Sequence, residues 1–321
     1  VEVGPELLWE PDAQTIREAN LTRYLAWLDD ELGLSFSDYA GLWRWSVDEL
    51  EAFWQSIWDF YGVRASAPYE VSLEHAAMPG ARWFTGARLN YAEHVLARST
   101  AERPAILAIS EEREAAELTW GQLRGQVGAI ASALREAGVG PGDRVAAYVG
   151  NLPEAVVALL AVTSVGAVWT ACAPDFGIKS VLDRFGQVEP SALIAVDGYR
   201  LGGREHDRRR AVQELQEGLP TVRTTILIRS LHPEQPPPRS LRAQAFDSLA
   251  APAREPEFAQ VDFEHPLWIL YSAGTTGVPK GIVQGHGGIL LEHLKSLGLG
   301  MDLRVGDRYF FYSSTSWMAW N

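Results

Sequence analysis

Hydrophobic and polar residues alternate along most of the chain with the periods of strands and helices. From about residue 100 onward, short apolar runs predict strands, namely 105–109, 144–149, 168–172, 192–196 and 225–228. Between them, apolar residues recur at helical spacing, as in the segment that Thr119 and Gln122 cap and Gly138 ends. Repeated strand–helix–strand units of this kind predict an α/β fold with parallel-rich sheets flanked by helices.

The first 90 residues have a different pattern, which is helical and rich in tryptophan. Seven of the twelve tryptophans lie there. Ser46 and Glu49 have the spacing of a capping box, and Asp12 marks the start of an earlier helix. The predicted buried positions of that earlier helix are Ile16, Ala19, Tyr24, Leu25, Leu28 and Leu32. Because aromatic stripes are far more often core packing than ligand sites, we predict a helical N-terminal cap over residues 1–95.

Composition divides the rest of the chain into three parts. Residues 96–229 hold the alternating pattern and predict an α/β subdomain. Residues 230–266 contain seven prolines and predict an extended connection on the surface. Residues 267–321 predict the start of a second α/β subdomain, truncated because a hydrophobic segment rarely closes a domain. Its predicted elements are strands at 267–272 and 309–312 and a helix at 287–297.

Charge and cysteine content narrow the function classes. The formal net charge of −13 disfavours nucleic acids and anionic membranes as partners. A single cysteine, Cys172, excludes an intramolecular disulfide and favours a reducing compartment. The uncharged stretch between Glu154 and Asp175 has roughly the ~20-residue length of a membrane span, but polar residues interrupt it and acids flank it. We therefore interpret it as a buried helix and strand of a cytoplasmic protein.

One glycine-rich loop carries the candidate chemistry. The sequence from Tyr271 to Gly281 reads YSAGTTGVPKG and follows an apolar strand. Its glycines allow close approach of the backbone to a ligand, its hydroxyls donate hydrogen bonds, and Lys280 adds a positive charge. The loop therefore predicts a phosphate cradle, although its spacing differs from that of the nucleotide-binding P-loop. The alternatives are a glycine-rich turn without a ligand and, for Lys280, a solvated loop lysine.

This loop resembles the signature phosphate-binding loop of the adenylate-forming acyl-CoA synthetase superfamily. Residues 83–91 (WFTGARLNY), 282–293 (IVQGHGGILLEH) and 313–321 (SSTSWMAWN) are similar to the branch of that superfamily that activates acetoacetate. The resemblance covers essentially the whole chain and implies the N-terminal part of the adenylate-forming fold. Two positions depart from the family pattern. Ala273 replaces the usual serine and removes one hydroxyl near the phosphates, whereas Ser316 replaces the usual glycine and is expected to narrow the acyl pocket or shift the backbone.

The resemblance implies ATP-dependent, AMP-forming ligation of acetoacetate to coenzyme A through an acyl-adenylate. The implied cofactors are ATP, Mg²⁺ and coenzyme A. Acetate or another short acid is the alternative substrate, and a non-catalytic nucleotide-binding remnant is the alternative class of protein. The implied partner is the missing C-terminal part of the same enzyme, which carries the family's catalytic lysine and its glutamate for Mg²⁺.

The resemblance also assigns site residues by position. The ATP phosphates are expected to contact Ser272, Gly274, Thr275, Thr276, Gly277 and Lys280. Coenzyme A is expected to contact Ala173, Asp175, Arg200 and Arg204. Residues 204–210 equally fit a solvated helix start, however. The acyl pocket is expected to contain Trp317, Met318 and Ala319, with core packing at a strand end as the alternative. No catalytic residue or metal ligand is expected in this chain, and His286 and His293 are interpreted either as structural or as support behind the residues that contact the ligands.

Overall fold

The computed structural model describes residues 7–97, 100–111, 113–272, 277 and 279–321. The chain divides into two compact units. The first unit comprises Val1–Arg64, Val71–Trp83 and Gly288–Phe310, and the second comprises Ala65–Glu70, Phe84–Gly287 and Phe311–Asn321. No helix among the described residues is both long and apolar enough to cross a membrane.

Eleven α-helices are present in the described ranges. They are α1 (Ala13–Glu18), α2 (Asn20–Leu32), α3 (Tyr39–Asp48), α4 (Leu50–Tyr61), α5 (Tyr91–Leu96), α6 (Trp120–Glu136), α7 (Pro153–Ser164), α8 (Ile178–Phe185), α9 (Arg209–Gly218), α10 (Phe246–Ala250) and α11 (His286–His293). A π-helical segment, Leu294–Gly300, continues α11, and short 3₁₀ turns occur at Arg239–Leu241 and Met318–Trp320.

Fifteen strands accompany these helices in the same described ranges. They are β1 (Val71–Glu74), β2 (Arg82–Thr85), β3 (Arg88–Leu89), β4 (Pro104–Ala108), β5 (Ala116–Thr119), β6 (Arg144–Tyr148), β7 (Val168–Cys172), β8 (Ala192–Val196), β9 (Gly198–Leu201), β10 (Arg204–Asp207), β11 (Thr224–Ile228), β12 (Ala243–Ala245), β13 (Val261–Asp262), β14 (Pro266–Tyr271) and β15 (Gly281–Gly285).

The first unit is built from the tryptophan-rich helices. Asp12 caps α1 by accepting the N–H of Thr15, as the sequence predicts. The helix ends at Glu18, however, and α2 follows as a separate helix. In this helix pair Tyr24 and Leu28 are buried, and the Tyr24 hydroxyl lies 2.5 Å from the Ser56 hydroxyl. Part of the aromatic residues in this unit is therefore core packing, whereas Trp9 and Trp43 are exposed.

Three details of that helical prediction are wrong. The Ile16 and Leu32 side chains are exposed: α1 is a separate helix without a buried residue, and Leu32 is the last residue of α2. Ser46 does not open a helix: it lies inside α3, and its hydroxyl donates to the Trp43 carbonyl. The cap of α3 is Asp38, whose carboxylate accepts the N–H of Gly41 at 2.8 Å.

The second unit is organised around a seven-stranded sheet of order β12–β11–β8–β6–β7–β14–β15. Every neighbouring pair is parallel except β14 and β15, which are antiparallel. Strands β6, β7 and β8 are buried on both faces, as expected of a parallel sheet that helices cover. The predicted α/β fold with a parallel-rich sheet flanked by helices is confirmed.

Local signals placed several elements correctly. Thr119 and Gln122 form the predicted capping box of α6, and Gly138 follows that helix in the left-handed conformation.

Two other local predictions are wrong. Residues 309–312 form no strand, because no strand of the described part pairs with them and their side chains are largely exposed. The proline-rich residues 230–266 are not simply extended, since β12 adds an edge strand to the main sheet and α10 follows it.

His286 lies buried where β15 leads into α11. Its Nδ1 accepts the backbone N–H of Tyr91 at 3.2 Å, and its ring centroid is 5.8 Å from that of His265. Burial, with a smaller contribution from His265, lowers the pKa of His286 to about 3. The imidazole is therefore neutral at physiological pH, which fits the structural interpretation.

We expect His286 to make the stability of the chain depend on pH. Its folded-state pKa lies below the unfolded value of about 6.5, so its stabilisation is complete above that pH and is lost as the pH falls toward 3. From pH 7.5 to pH 4.5 this residue alone is expected to cost about 3 kcal/mol. Urea unfolding of the wild type and of His286→Asn at both pH values measures the effect.

The matched control for this prediction is His75→Asn. His75 is exposed and has a φ of +56°, which asparagine tolerates. It is expected to keep the pH dependence of the wild type. An unchanged pH dependence in His286→Asn would contradict the assignment.

Candidate functional site

The candidate site lies at one edge of the seven-stranded sheet. Because β6, β7, β8 and β14 run parallel, their carboxyl ends meet at the same edge, where ligands of open α/β sheets commonly bind. Ala173 and Asp175 follow β7, Arg200 and Arg204 lie on the hairpin that follows β8, and Ser272 follows β14. Topology thus brings residues from two predicted contact sets to one edge.

The glycine-rich loop is the turn of the β14–β15 hairpin. Tyr271 pairs with Gly281, and the N–H of Ser272 donates to the Lys280 carbonyl at 3.1 Å, which closes the base of the loop. Gly277 has a φ of +92°, a conformation that favours glycine. The remaining predicted phosphate contacts, and the departure at 273, lie outside the described residues: Gly274, Thr275, Thr276 and Ala273.

Lys280 supplies the positive charge at the end of this loop. Its side chain is exposed, and no carboxylate in the described part of the chain forms an ion pair with it. The two interpretations of the residue, a phosphate ligand or a solvated lysine, both fit this geometry. The charge is in either case available to an anion at the carboxyl edge of the sheet.

The predicted coenzyme A contacts lie on two separate segments. Ala173 is buried, Asp175 is exposed, and the Tyr148 hydroxyl fixes the turn between them by donating to the Pro174 carbonyl at 2.7 Å. Burial is the main cause that raises the pKa of Tyr148 to about 12; Arg208 opposes the shift, whereas Asp175 adds to it. Tyr148 is therefore a neutral hydroxyl donor at the end of β6.

The second segment is the β9–β10 hairpin. Arg200 and Arg204 are both exposed on it, and Arg200 pairs with Glu205 at 2.5 Å. The Glu111 carboxylate accepts the N–H groups of Gly202 and Gly203 at 3.1 and 2.9 Å, and these bonds lower the pKa of Glu111. The hairpin tip is thus tied to the loop that follows β4.

The charged run 204–210 is part strand and part helix. Residues up to Asp207 form β10, and α9 begins at Arg209, so the helix-start interpretation holds only for the end of the run. Arg208 lies between the two elements, with its guanidinium 5.2 Å from the centroid of the Tyr199 ring and donating to the Tyr199 hydroxyl at 3.0 Å. Sequence alone did not single out this stacked arginine, because its signal was hidden among its arginine neighbours.

Residues 313–321 cross the ends of β6 and β7. Buried Thr315 donates its hydroxyl to the Val149 carbonyl at 2.6 Å, and the Trp320 indole N–H donates to Asn151 at 3.1 Å. Ser316 accepts the backbone N–H of Ala173 at 2.7 Å. This departure from the family pattern therefore joins residues 313–321, called the acyl segment below, to a predicted coenzyme A contact.

The predicted acyl-pocket residues are presented outward from this segment. Trp317 is 52% exposed and Met318 is 41% exposed, and Ala319 is exposed as well. The Trp317 ring contacts the Tyr312 ring edge to face, with centroids 6.4 Å apart. These side chains are therefore exposed at the sheet edge among the described residues, and their assignment to an acyl pocket stays a prediction.

Other reactive groups do not assemble into a second centre within the described ranges. No three His, Cys, Asp or Glu side chains there form a group that could hold a metal ion. Cys172 is buried at the end of β7, and burial raises the pKa of its thiol to about 12, so it is not an activated nucleophile.

Comparison with known proteins gives the class to which this fold and edge belong. The family model described as AMP-binding enzyme matches residues 93–320, and that described as acetyl-coenzyme A synthetase N-terminus matches residues 39–95. The chain therefore belongs to the AMP-binding enzyme family.

Within that family, the chain is similar to proteins named as acyl-coenzyme A synthetases. The acetoacetyl-coenzyme A synthetase of Rhizobium meliloti is 38% identical over 98% of this chain and 48% of its own length. The malonamoyl-CoA synthetase vrtB of Penicillium aethiopicum is 36% identical over 99% of this chain and 46% of its own length. The solved structure of acetoacetyl-CoA synthetase from Streptomyces lividans is 54% identical, with a TM-score of 0.93, and the match covers 98% of this chain and 49% of that one. The chain thus spans about half the length of the curated relatives it matches.

Proposed function

We propose that this chain supplies the N-terminal half of an ATP-dependent, AMP-forming ligase that joins acetoacetate to coenzyme A. The observation that carries the proposal is the 54% identity, over 98% of the chain, to the acetoacetyl-CoA synthetase of Streptomyces lividans. Three features at one sheet edge support it. They are the glycine-rich loop, the β9–β10 hairpin with its two exposed arginines, and the segment 313–321 with its exposed Trp317 side chain. We also propose a cytoplasmic location, where the single cysteine stays reduced.

The proposed reaction has two steps. A carboxylate oxygen of the acid attacks the α-phosphorus of ATP, and the bond to pyrophosphate breaks, which gives an acyl-adenylate. The sulfur of coenzyme A then attacks the acyl carbon, and AMP leaves as the thioester forms. The main obstacle in the first step is charge repulsion, because a carboxylate must approach a polyphosphate.

The residues of the loop are proposed to reduce that repulsion. Ser272 and Lys280 are assigned to the phosphates together with Gly277 and the loop residues Gly274, Thr275 and Thr276. Lys280 would hold its positive charge against the phosphate oxygens, and the closed base of the loop would keep it there. When bound, Mg²⁺ would supply further neutralisation of the phosphate charge. The remaining protein groups for ATP and Mg²⁺ are assigned to the C-terminal partner half.

Coenzyme A and the acid are assigned to the rest of the edge. Ala173 and Asp175 are proposed to contact coenzyme A, and the exposed Arg200 and Arg204 guanidinium groups suit its 3′-phosphate. The acid is assigned to Trp317, Met318 and Ala319. An indole that forms a wall of the acyl pocket would limit the length of the acid, which suits a four-carbon substrate.

Malonamate is the second candidate substrate. The similarity to a malonamoyl-CoA synthetase favours it, since malonamate differs from acetoacetate only by an amino group in place of the methyl group. Both acids carry a carbonyl group β to the carboxylate, whereas acetate and butyrate do not. Comparing kcat/KM for these four acids separates a pocket that recognises the β-carbonyl group from one that selects only by size.

The proposed function is tested by the mass and the activity of the native protein from its source. We expect an intact mass near twice 35.4 kDa, acetoacetate-dependent pyrophosphate release, and no measurable turnover by the purified 321-residue chain. Butyrate in place of acetoacetate is the control for acid recognition. A native mass near 35.4 kDa without a partner chain would instead favour a nucleotide-binding remnant, and turnover by the isolated chain would refute the need for a second half.

A further inference from the structure

We propose that α8 supports the glycine-rich loop and that Gln187, just beyond the end of α8, is a positioning residue for Lys280. This proposal rests on the proposed function for its effect on ATP. The geometry it uses lies entirely within the second unit and among described residues. In other respects α8 is an ordinary helix that covers the sheet, because its apolar residues Val181 and Phe185 are buried.

Gln187 joins the end of the helix to the end of the loop. Its side-chain amide donates to the Asp183 carbonyl in the last turn of α8 at 2.6 Å and to the Pro279 carbonyl at 3.0 Å. One amide nitrogen carries two hydrogens, so it can serve both carbonyls at once. The second bond fixes the peptide that immediately precedes Lys280.

Tyr271 ties the other end of the loop to the same helix end. Its hydroxyl donates to the Arg184 carbonyl at 2.8 Å, and the Arg184 guanidinium lies 5.8 Å from the centroid of the Tyr271 ring. The same guanidinium donates to the carbonyl and hydroxyl oxygens of Ser180, which holds it along α8. Tyr271 directly precedes Ser272, the first assigned phosphate contact.

Both ends of the loop are therefore attached to the C-terminal end of α8, one through Arg184 in its last turn and the other through Gln187 just beyond it. Across the loop, the Ser272 N–H to Lys280 carbonyl bond closes the frame. Gln187 is exposed and adds nothing to the hydrophobic core, so a purely structural role gives it little to do. Losing its bond would release the Pro279–Lys280 backbone while the sheet, the acyl segment and the β9–β10 hairpin stay unchanged. The effect should thus fall on the nucleotide phosphates alone.

The first test uses the 321-residue chain and needs no ligand. Gln187→Met keeps the side-chain length and removes both donors. Trypsin cleavage after Lys280 should become about three- to tenfold faster, the size expected from one lost hydrogen bond. Cleavage after exposed Arg304 serves as the internal reference. Gln213→Met is the matched control, because Gln213 is exposed on α9 and donates only to Glu217 of its own helix among the described bonds.

The second test uses the complete ligase. Gln187→Met is expected to raise the KM for ATP about three- to tenfold and to leave the KM values for the acid and for coenzyme A within twofold. Tyr271→Phe, which removes only the hydroxyl, should shift the KM for ATP in the same direction. Equal cleavage after Lys280 in the variant and the wild type would overturn the proposal, as would an equal rise in all three KM values. If the complete protein lacked ligase activity, the proposed function would fail while the cleavage test would still decide the role of Gln187.

Discussion

Replacing Lys280 with methionine is expected to lower kcat/KM for ATP in the complete ligase about 100- to 1,000-fold. The exposed Lys280 lies at the end of a loop whose base is closed by the Ser272–Lys280 backbone bond, so the backbone that carries the ammonium is held before a ligand arrives. A preorganised charge facing a polyphosphate stabilises the transition state without the cost of reorganisation. Methionine keeps a similar length and removes the charge together with the N–H donors. Acid-dependent ATP–pyrophosphate exchange measures the first step directly.

Lys179→Met is the matched control for this experiment. Lys179 is an exposed lysine on α8, outside the assigned phosphate contacts, and its loss is expected to change the exchange rate less than twofold. If Lys280→Met also stayed within about threefold of the wild type, Lys280 would be a solvated lysine and the cradle would depend on its glycines and hydroxyls alone.

Replacing Trp317 with alanine is expected to change acid selectivity by about 10- to 100-fold. The ratio of kcat/KM for 3-oxohexanoate over acetoacetate should rise, because the removed indole opens space beside the acid. With the side chain 52% exposed, the substitution should cost little stability. The backbone of the segment stays in place through bonds that the substitution leaves intact, those of Thr315 to Val149 and of Ser316 to Ala173.

A second exposed tryptophan tests the specificity of that effect. Trp43 is 55% exposed on α3 in the first unit, and Trp43→Ala is expected to leave the selectivity ratio unchanged. An unchanged ratio in Trp317→Ala, or a ratio that changes only together with a large fall in the thermal midpoint, would remove Trp317 from the acyl pocket.

The candidate site was only partly readable from the sequence. The glycine-rich loop was recognisable from its composition, because close approach of the backbone to a ligand requires glycines, which are visible in the sequence. The sequence of the charged run 204–210 did not show where the strand ends and the helix begins, since both elements carry solvated charged side chains at similar spacing. Ser316 was visible as a departure from the family pattern, but its bond to Ala173 joins residues far apart in the chain and has no local signature.

The sequence by itself determined the local elements and the burial of the sheet. Continuous apolar runs such as 192–196 indicated strands covered on both faces, and the capping box at Thr119 marked the start of α6, because burial periodicity and capping act over a few residues. Only the tertiary structure decided which segments meet. The parallel pairing of β12 with β11 depends on backbone groups that every residue carries, and the attachment of both loop ends to α8 joins side-chain donors to backbone carbonyls far away in the chain. Such bonds are chosen by the path of the whole chain, and side-chain patterning does not specify them.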